Sequence, residues 1–294
     1  MPTRTVQLDG HRLRLTNLDK VLYPRTDFTK AQLISYYARV APSMIGHLRG
    51  RPVTLRRFPD GVEGESFYQK NCPAHRPAWL RTAHVASASG GDDAIDYCLL
   101  DEPAALAWAA NLAAIELHVP LHRVDRPHSP TALVLDLDPT APAGFAHCVQ
   151  AAFELKPLLE RLDLVPLAKH SGGKGLHLYA ALPQPSSYDQ SRHLARTLAR
   201  LLAQRHRKWV TDRMSKAQRG GKVFIDWSQN TASKTTVCVY SLRAQSVPRV
   251  SAPMTWHELT AWLDNPDTPP PTSSPEHVIQ RLDEQGDLFA PLGE

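Results

Sequence analysis

The ten residues TALVLDLDPT, at positions 131–140, restrict the possible folds more than any other segment of this chain. An apolar run so short and rich in Leu and Val is a strand passing through a core, and Pro139 closes it. Strand side chains repeat with a period of two. Asp136 and Asp138 therefore share one face while Leu135 and Leu137 take the other. Neighbouring carboxylates repel and are expensive to bury, so a cation is expected between them. Magnesium and manganese are the natural choices, because hard divalent ions prefer carboxylate oxygen. The fold must bury one face of this strand and bring positive charge to the other.

A second segment repeats the pattern. In KVFIDWSQN, Val223, Ile225 and Trp227 alternate with Phe224, Asp226 and Ser228, which again places a lone aspartate inside an apolar strand. Two aspartates on one strand and a third on a neighbour make the ligand set of a two-metal site, whose ions lie roughly 4 Å apart. A DxD alone is equally a strand-end turn or a calcium-type surface loop. Between the two aspartate strands lies HSGGKGLH, with Ser171, Lys174 and His177 around a glycine-rich turn. Such a turn lets backbone N–H groups converge on an anion, although a plain hairpin with an incidental lysine has the same spelling. It is not a P-loop, since Gly175 and a strand follow the lysine instead of Ser or Thr and a helix. Acidic metal ligands beside a phosphate-gripping turn point to phosphoryl or nucleotidyl transfer.

Capping boxes mark three helix starts, at Thr29–Gln32, Ser187–Gln190 and Thr255–Glu258. After the first, Leu33, Ile34, Tyr37, Val40 and Met44 share a face. Residues 51–58 (RPVTLRRF) predict a strand, 101–120 an Ala/Leu-rich helix running into a proline stop, and 142–162 a further helix. LVPLAKH and GLHLYAAL predict two strands joined by the SGGK turn, and GKVFIDWSQN and TTVCVYSLRAQ another strand pair. The Pro-rich DNPDTPPPTSSP precedes a short last helix. Strands that pair as hairpins and mingle with helices indicate an α+β, or mixed α/β, fold.

Charge is distributed unevenly. Residues 254–294 hold eight acids and a single base, Arg281, for a net −7; the whole chain is +5, so residues 1–253 carry +12. A body so basic suits a polyanionic partner, although a solvated basic surface has the same composition. No apolar run reaches the roughly 18 residues of a membrane span, and the N-terminus lacks the apolar centre of a secretion signal. Cys72, Cys98, Cys148 and Cys238 are scattered without a CxxC pair, which predicts neither a disulfide framework nor structural zinc and suits a reducing compartment.

Taken in order, VLDLDP, HSGGKGLHLY, VFIDWSQN and YSLRA resemble the polymerase domain of bacterial ligase D end-joining proteins, of the archaeo-eukaryotic primase superfamily. The resemblance runs from LTNLDKVLYP to TWHEL. It implies a primase-like catalytic domain over residues 1–265. DNA-end contacts would lie in about 1–125, the catalytic core in about 126–253, and a connector with an acidic helix in 266–294. It implies template-directed addition of ribo- or deoxynucleotides at DNA ends and gaps, with two manganese or magnesium ions held by Asp136, Asp138 and Asp226. Ser171, Lys174, His177 and Arg243 would contact the triphosphate, and His118 would line the nucleotide pocket. Lys20 and Lys30 match lysines that hold a downstream 5′-phosphate. Phe67 and Tyr68 match an aromatic pair that stacks on a template base, with Tyr where Phe is common. Nucleoside triphosphates and 5′-phosphorylated gapped or broken DNA are the implied ligands. A ligase and an end-binding protein are the implied partners, and the cytoplasmic nucleoid is the implied location. No KxDG nucleophile is present, so strand sealing is not expected of this chain.

Two rivals remain open at the level of sequence. DLDPT fits the DxDxT motif of haloacid-dehalogenase-type phosphatases, with Asp136 as nucleophile and Asp138 as acid–base; however, the Asp92–Asp93 pair lies upstream, where that scheme wants a later acidic pair. A non-catalytic end-binding module would use the basic body and leave the aspartates unexplained. A glycosyltransferase DxD gains nothing from the Gly-Lys turn.

Overall fold

The computed structural model describes residues 3–86, 94–265, 267 and 273–293. The chain forms two units, one from Met1–Asp125, Thr235–Val250 and Ser273–Glu294, the other from Arg126–Lys234 and Ser251–Thr272. Both mix helices with sheets whose pairing is mostly antiparallel, which is the α+β class read from the sequence.

The second unit is built on a six-stranded sheet. Its strand order is Val210–Thr211, Val223–Asp226, Ala132–Pro139, Leu176–Ala181, Pro166–His170 and Pro253–Met254. Only the first pair is parallel. Ala132–Pro139 runs through the middle as its apolar alternation requires, and Leu133, Leu135 and Leu137 are buried. They pack with Leu176, Leu178, Val223 and Ile225 and with Val149, Leu155, Leu198 and Leu202 of the helices Phe145–Glu160 and Tyr188–Arg205. Each such leucine contributes about 2 kcal/mol over its exposed state. The predicted turn joins Pro166–His170 to Leu176–Ala181, which pair antiparallel. The capping boxes at Ser187 and Thr255 form as predicted.

The first unit holds the sheet Thr236–Val237, Ala114–Val119, Thr54–Arg57, Phe67–Gln69, in that order. The helix Lys30–Leu48 starts at the Thr29–Gln32 capping box and buries the predicted Leu33, Ile34, Tyr37, Val40 and Met44. Helix Pro275–Gln285 and the turn after it bring Asp287 to this helix, where His47 Nε2 lies 2.8 Å from Asp287 Oδ2. Tyr240 Oη and the Phe289 N–H donate to the other carboxylate oxygen.

Three expectations are corrected. Residues 101–120 are not one helix: Pro103–Asn111 is helical, Ala113 turns at φ +57°, and Ala114–Val119 is a fully buried strand. The break falls on an alanine in the left-handed region, without the glycine that usually signals it. TTVCVYSLRAQ does not pair with GKVFIDWSQN; Thr236–Val237 pairs with Ala114–Val119, and Leu242–Arg243 with Arg249–Val250. The chain leaves one unit for the other between those two segments, so adjacency in sequence is not adjacency in the sheet. Cys72 and Cys98, read as separate thiols, form a disulfide across 26 positions, because Cys72 lies against the end of strand Ala94–Cys98, its N–H donating to Asp96 O at 2.6 Å.

Candidate active site

The register of the six-stranded sheet organises the polar face of Ala132–Pro139. Asp136 pairs directly with Asp226 on one side and with His177 on the other, and His177 pairs in turn with Lys169. Direct partners in antiparallel strands present their side chains on the same face. A row of Lys169, His177, Asp136 and Asp226 therefore crosses four strands, and Asp138, two residues beyond Asp136, shares its face. Positive and polar groups meet this negative charge. His177 Nε2 lies 3.4 Å from Asp136 Oδ1, and Lys174 Nζ lies 4.0 Å from Asp138 Oδ1. Lys169 is buried, donates to Ser251 Oγ at 2.7 Å, and stands 5.6 Å from the centre of the Tyr179 ring.

Asp226 ends its strand and opens the short 3₁₀ turn Trp227–Gln229. Ser228 N and Oγ donate to its Oδ1 at 2.9 and 2.6 Å, and Gln229 Nε2 donates to Oδ2 at 3.1 Å. Beyond that turn the wholly buried Asn230 acts in place of a further strand residue. Its Oδ1 accepts from Val134 N at 3.0 Å and its Nδ2 donates to Val134 O at 2.7 Å, which prolongs the ladder beside Asp136.

The turn at 171–175 backs onto the same strand. Gly173 N and Gly175 N donate to Ser171 Oγ at 3.2 and 3.1 Å, Gly172 N donates to His170 Nδ1 at 3.0 Å, and Gly172 has φ +76°. A β-carbon on Gly175 would sit 2.5 Å from Leu137 O, so only glycine allows the turn to lie this close to Asp138. The turn's N–H groups are thus spent on Ser171 and His170 within the turn itself.

Three carboxylates on one face match the oxygen donors that hard divalent ions require. Among the described residues no three acidic, histidine or cysteine side chains are gathered into a ready-made cage, since Asp226 is turned onto its own turn. Their chemistry and shared face nevertheless fit such ions.

The remaining predicted residues belong to the first unit. His118 and Arg243 meet at Glu116, a residue the sequence reading passed over. Glu116 is 1% exposed; its Oε2 lies 2.9 Å from His118 Nε2, and its Oε1 lies 3.3 Å from Arg243 Nε, 3.3 Å from Arg56 Nη1 and 3.0 Å from Ala244 N. Burial pushes the Glu116 carboxyl up, but the His118 hydrogen bond and the Arg243 charge outweigh it and hold the group at about 2. Burial lowers the His118 imidazole, against the pull of Glu116. Arg56 also lies 5.4 Å from the Tyr68 ring centre, and the Tyr68 and His118 rings are 5.6 Å apart. Phe67 and Tyr68 are 45% and 58% exposed on the strand Phe67–Gln69, with Arg57 5.2 Å from the Phe67 ring centre. Lys20 reaches Asp60 at 2.7 Å, and the Lys30 backbone N–H donates to Lys20 O at 2.8 Å. Burial, with Lys20 and Arg57 nearby, lowers the Lys30 ammonium to about 8. Glu116, Arg56, Arg57 and Asn230 carry no signature in sequence; the one clue was a charged residue inside the buried run IELHV. The Asp92–Asp93 pair of the phosphatase alternative lies outside the described residues.

Comparison with known proteins identifies the family and the fold. Residues 29–289 match the family described as LigD, primase-polymerase domain. The chain is 43% identical over 283 residues to the multifunctional non-homologous end joining protein LigD of Mycolicibacterium smegmatis, covering 96% of this chain and 36% of that protein. It is 32% identical over 280 residues to the bifunctional LigD of Bacillus subtilis, covering 95% and 44%. It thus spans less than half the length of these relatives. Among solved structures, the polymerase domain from Mycobacterium tuberculosis ligase D, in complex with DNA, superposes with a TM-score of 0.89 at 41% identity, over 96% of this chain and 98% of that one. With a family match over nearly its whole length, and relatives this similar, the chain belongs to the LigD primase-polymerase domain family.

Proposed function

We propose that this chain is a template-directed nucleotidyltransferase that extends or fills DNA ends and gaps with ribo- or deoxynucleoside triphosphates during double-strand-break end joining. The observation that carries this reading is the register that sets Asp136 directly across from Asp226, with Asp138 on the same face beside the Ser171–Gly175 turn. Family membership supports it, as do relatives named for end joining and a similar polymerase domain bound to DNA.

Asp136, Asp138 and Asp226 would hold two divalent ions, manganese or magnesium, which when bound supply Lewis-acid activation of the primer hydroxyl and charge neutralisation on the triphosphate. The chain's own groups do the rest. Ser171 Oγ, fixed in place by the Gly173 and Gly175 amides, would turn its hydroxyl proton to a phosphate oxygen, and Lys174 adds positive charge. His177 keeps Asp136 oriented from the neighbouring strand. Arg243 is assigned to the triphosphate and His118 to the nucleotide, Lys20 and Lys30 to a downstream 5′-phosphate, and the exposed faces of Phe67 and Tyr68 to a template base. A ligase and an end-binding protein are the partners of this activity, and the bacterial cytoplasm, at the nucleoid, is its place of action. Among the described residues no helix is long and apolar enough to cross a membrane.

Labelled-nucleotide incorporation on a gapped duplex, with and without the 5′-phosphate, tests the proposal. Wild type should incorporate and should prefer the phosphorylated gap. Asp138→Ala should shift that duplex in a gel yet add no nucleotide. Wild-type extension by Asp138→Ala would refute the mechanism. Binding without incorporation by wild type, in manganese, would leave an end-binding module.

A further inference from the structure

Glu116 is buried, ionised and has no place in the mechanism above, yet four groups converge on it. In the sheet register it is the direct partner of Arg56, and Arg56 is the direct partner of Tyr68, so a row of Tyr68, Arg56 and Glu116 crosses three strands. His118 stands two residues further along the same strand face. Arg243 and the Ala244 N–H arrive from a distant segment and meet the same carboxylate. A buried anion is retained at a cost that only good pairing offsets, and here one carboxylate accepts from Arg56, a ring nitrogen and a backbone amide and forms an ion pair with Arg243.

We propose that Glu116 is the positioning residue of the nucleotide subsite, fixing the Arg243 guanidinium, the ring orientation and tautomer of His118, and through Arg56 the Tyr68 platform. The inference rests on the assignment of His118 and Arg243 to the nucleotide. An ionised carboxylate can only accept, so the His118 nitrogen facing it at 2.9 Å must carry the proton. Near neutral pH the ring is uncharged and Nδ1 is left as its acceptor. Glutamine in place of glutamate keeps the shape but has one acceptor oxygen. Its NH₂ must face either the Arg56–Arg243–Ala244 donors or His118. The first arrangement sets donor against donor; the second forces the imidazole proton onto Nδ1.

Steady-state incorporation on the 5′-phosphorylated gapped duplex separates this role from a merely structural one. Glu116→Gln should raise the KM for the nucleoside triphosphate about tenfold or more, with kcat within about twofold and duplex affinity unchanged. An unchanged KM in a folded Glu116→Gln chain overturns the inference. So does a loss confined to kcat. If Glu116→Gln does not fold, long-range ¹H–¹⁵N spectra of the wild-type side chains decide, with the His118 signals identified by their loss in His118→Gln. The Nε2–H tautomer is expected, and an Nδ1–H tautomer overturns the inference. Wild type that incorporates no nucleotide removes the functional reading, and this inference with it; wild type that incorporates normally, with Glu116→Gln unaffected, removes this inference alone.

Discussion

Under the proposed function, the surroundings of Lys30 prepare it for a 5′-phosphate. Burial first, and then the nearby charges of Lys20 and Arg57, disfavour the ammonium of Lys30, which falls to about 8. A phosphate bound at the proposed site would offset both causes and pull the lysine back up. In the free protein the ammonium is present below about pH 8 and is lost as the pH rises through that value. The preference for a 5′-phosphorylated over a 5′-hydroxyl duplex should therefore decline several-fold between about pH 7 and about pH 9.5. Fluorescence anisotropy on the two duplexes measures this. Lys30→Arg should abolish the decline, because its guanidinium does not titrate in that range. A preference independent of pH in the wild type would remove Lys30 from the phosphate site.

At the scale of elements, the close approach of the 171–175 turn to the aspartate strand is the feature most exposed to change. Gly175→Ala sets a methyl 2.5 Å from Leu137 O, and one of the two backbones must move. The expected cost is about 1–3 kcal/mol in stability, with loss of most incorporation, because Leu137 lies between the two aspartates. Thermal melts and the gapped-duplex assay would detect both, and wild-type values in each would disprove the steric argument. Much at this scale was legible beforehand. The alternation in TALVLDLD announced a strand with its carboxylates on one side, and three capping boxes announced three helix starts. What escaped notice had physical reasons. An alanine-rich helix passes into the strand Ala114–Val119 at a non-glycine turn, so periodicity gave no warning. Glu116 was hidden with it, since a carboxylate thought to lie on a helix surface has no reason to gather arginines. Asn230 completes a ladder with its side chain, which no periodicity detects.

At the scale of the whole molecule, the buried clusters around Asp287 and Glu116 point the same way in pH. Asp287 is pushed up by burial but held below the ordinary carboxylate range by His47 and Tyr240; Glu116 is likewise held down. A carboxylate held low contributes stability that is complete above its unfolded value of about 4 and disappears as the pH falls toward the folded one. His118, lowered by burial, must charge on unfolding below about 6.5, so its contribution also fades in acid. The melting temperature should thus decline gently from neutral pH and steeply below about pH 4.5. Asp287→Asn should lower it at neutral pH, by about 2 kcal/mol of stability, and should converge on wild type in acid. A constant difference across the range would contradict the clasp between His47 and the residues after helix Pro275–Gln285.

The order in which the chain is threaded through its two units has a consequence for biosynthesis. The amide of Ala244 that meets Glu116 lies 128 positions downstream, and Asp287, which meets His47, lies 240 positions downstream. A ribosome releases the amino end first. The glutamate therefore waits, enclosed by neither arginine 243 nor its neighbour, while the entire aspartate-bearing sheet is made, and the first unit to emerge is the last to be finished.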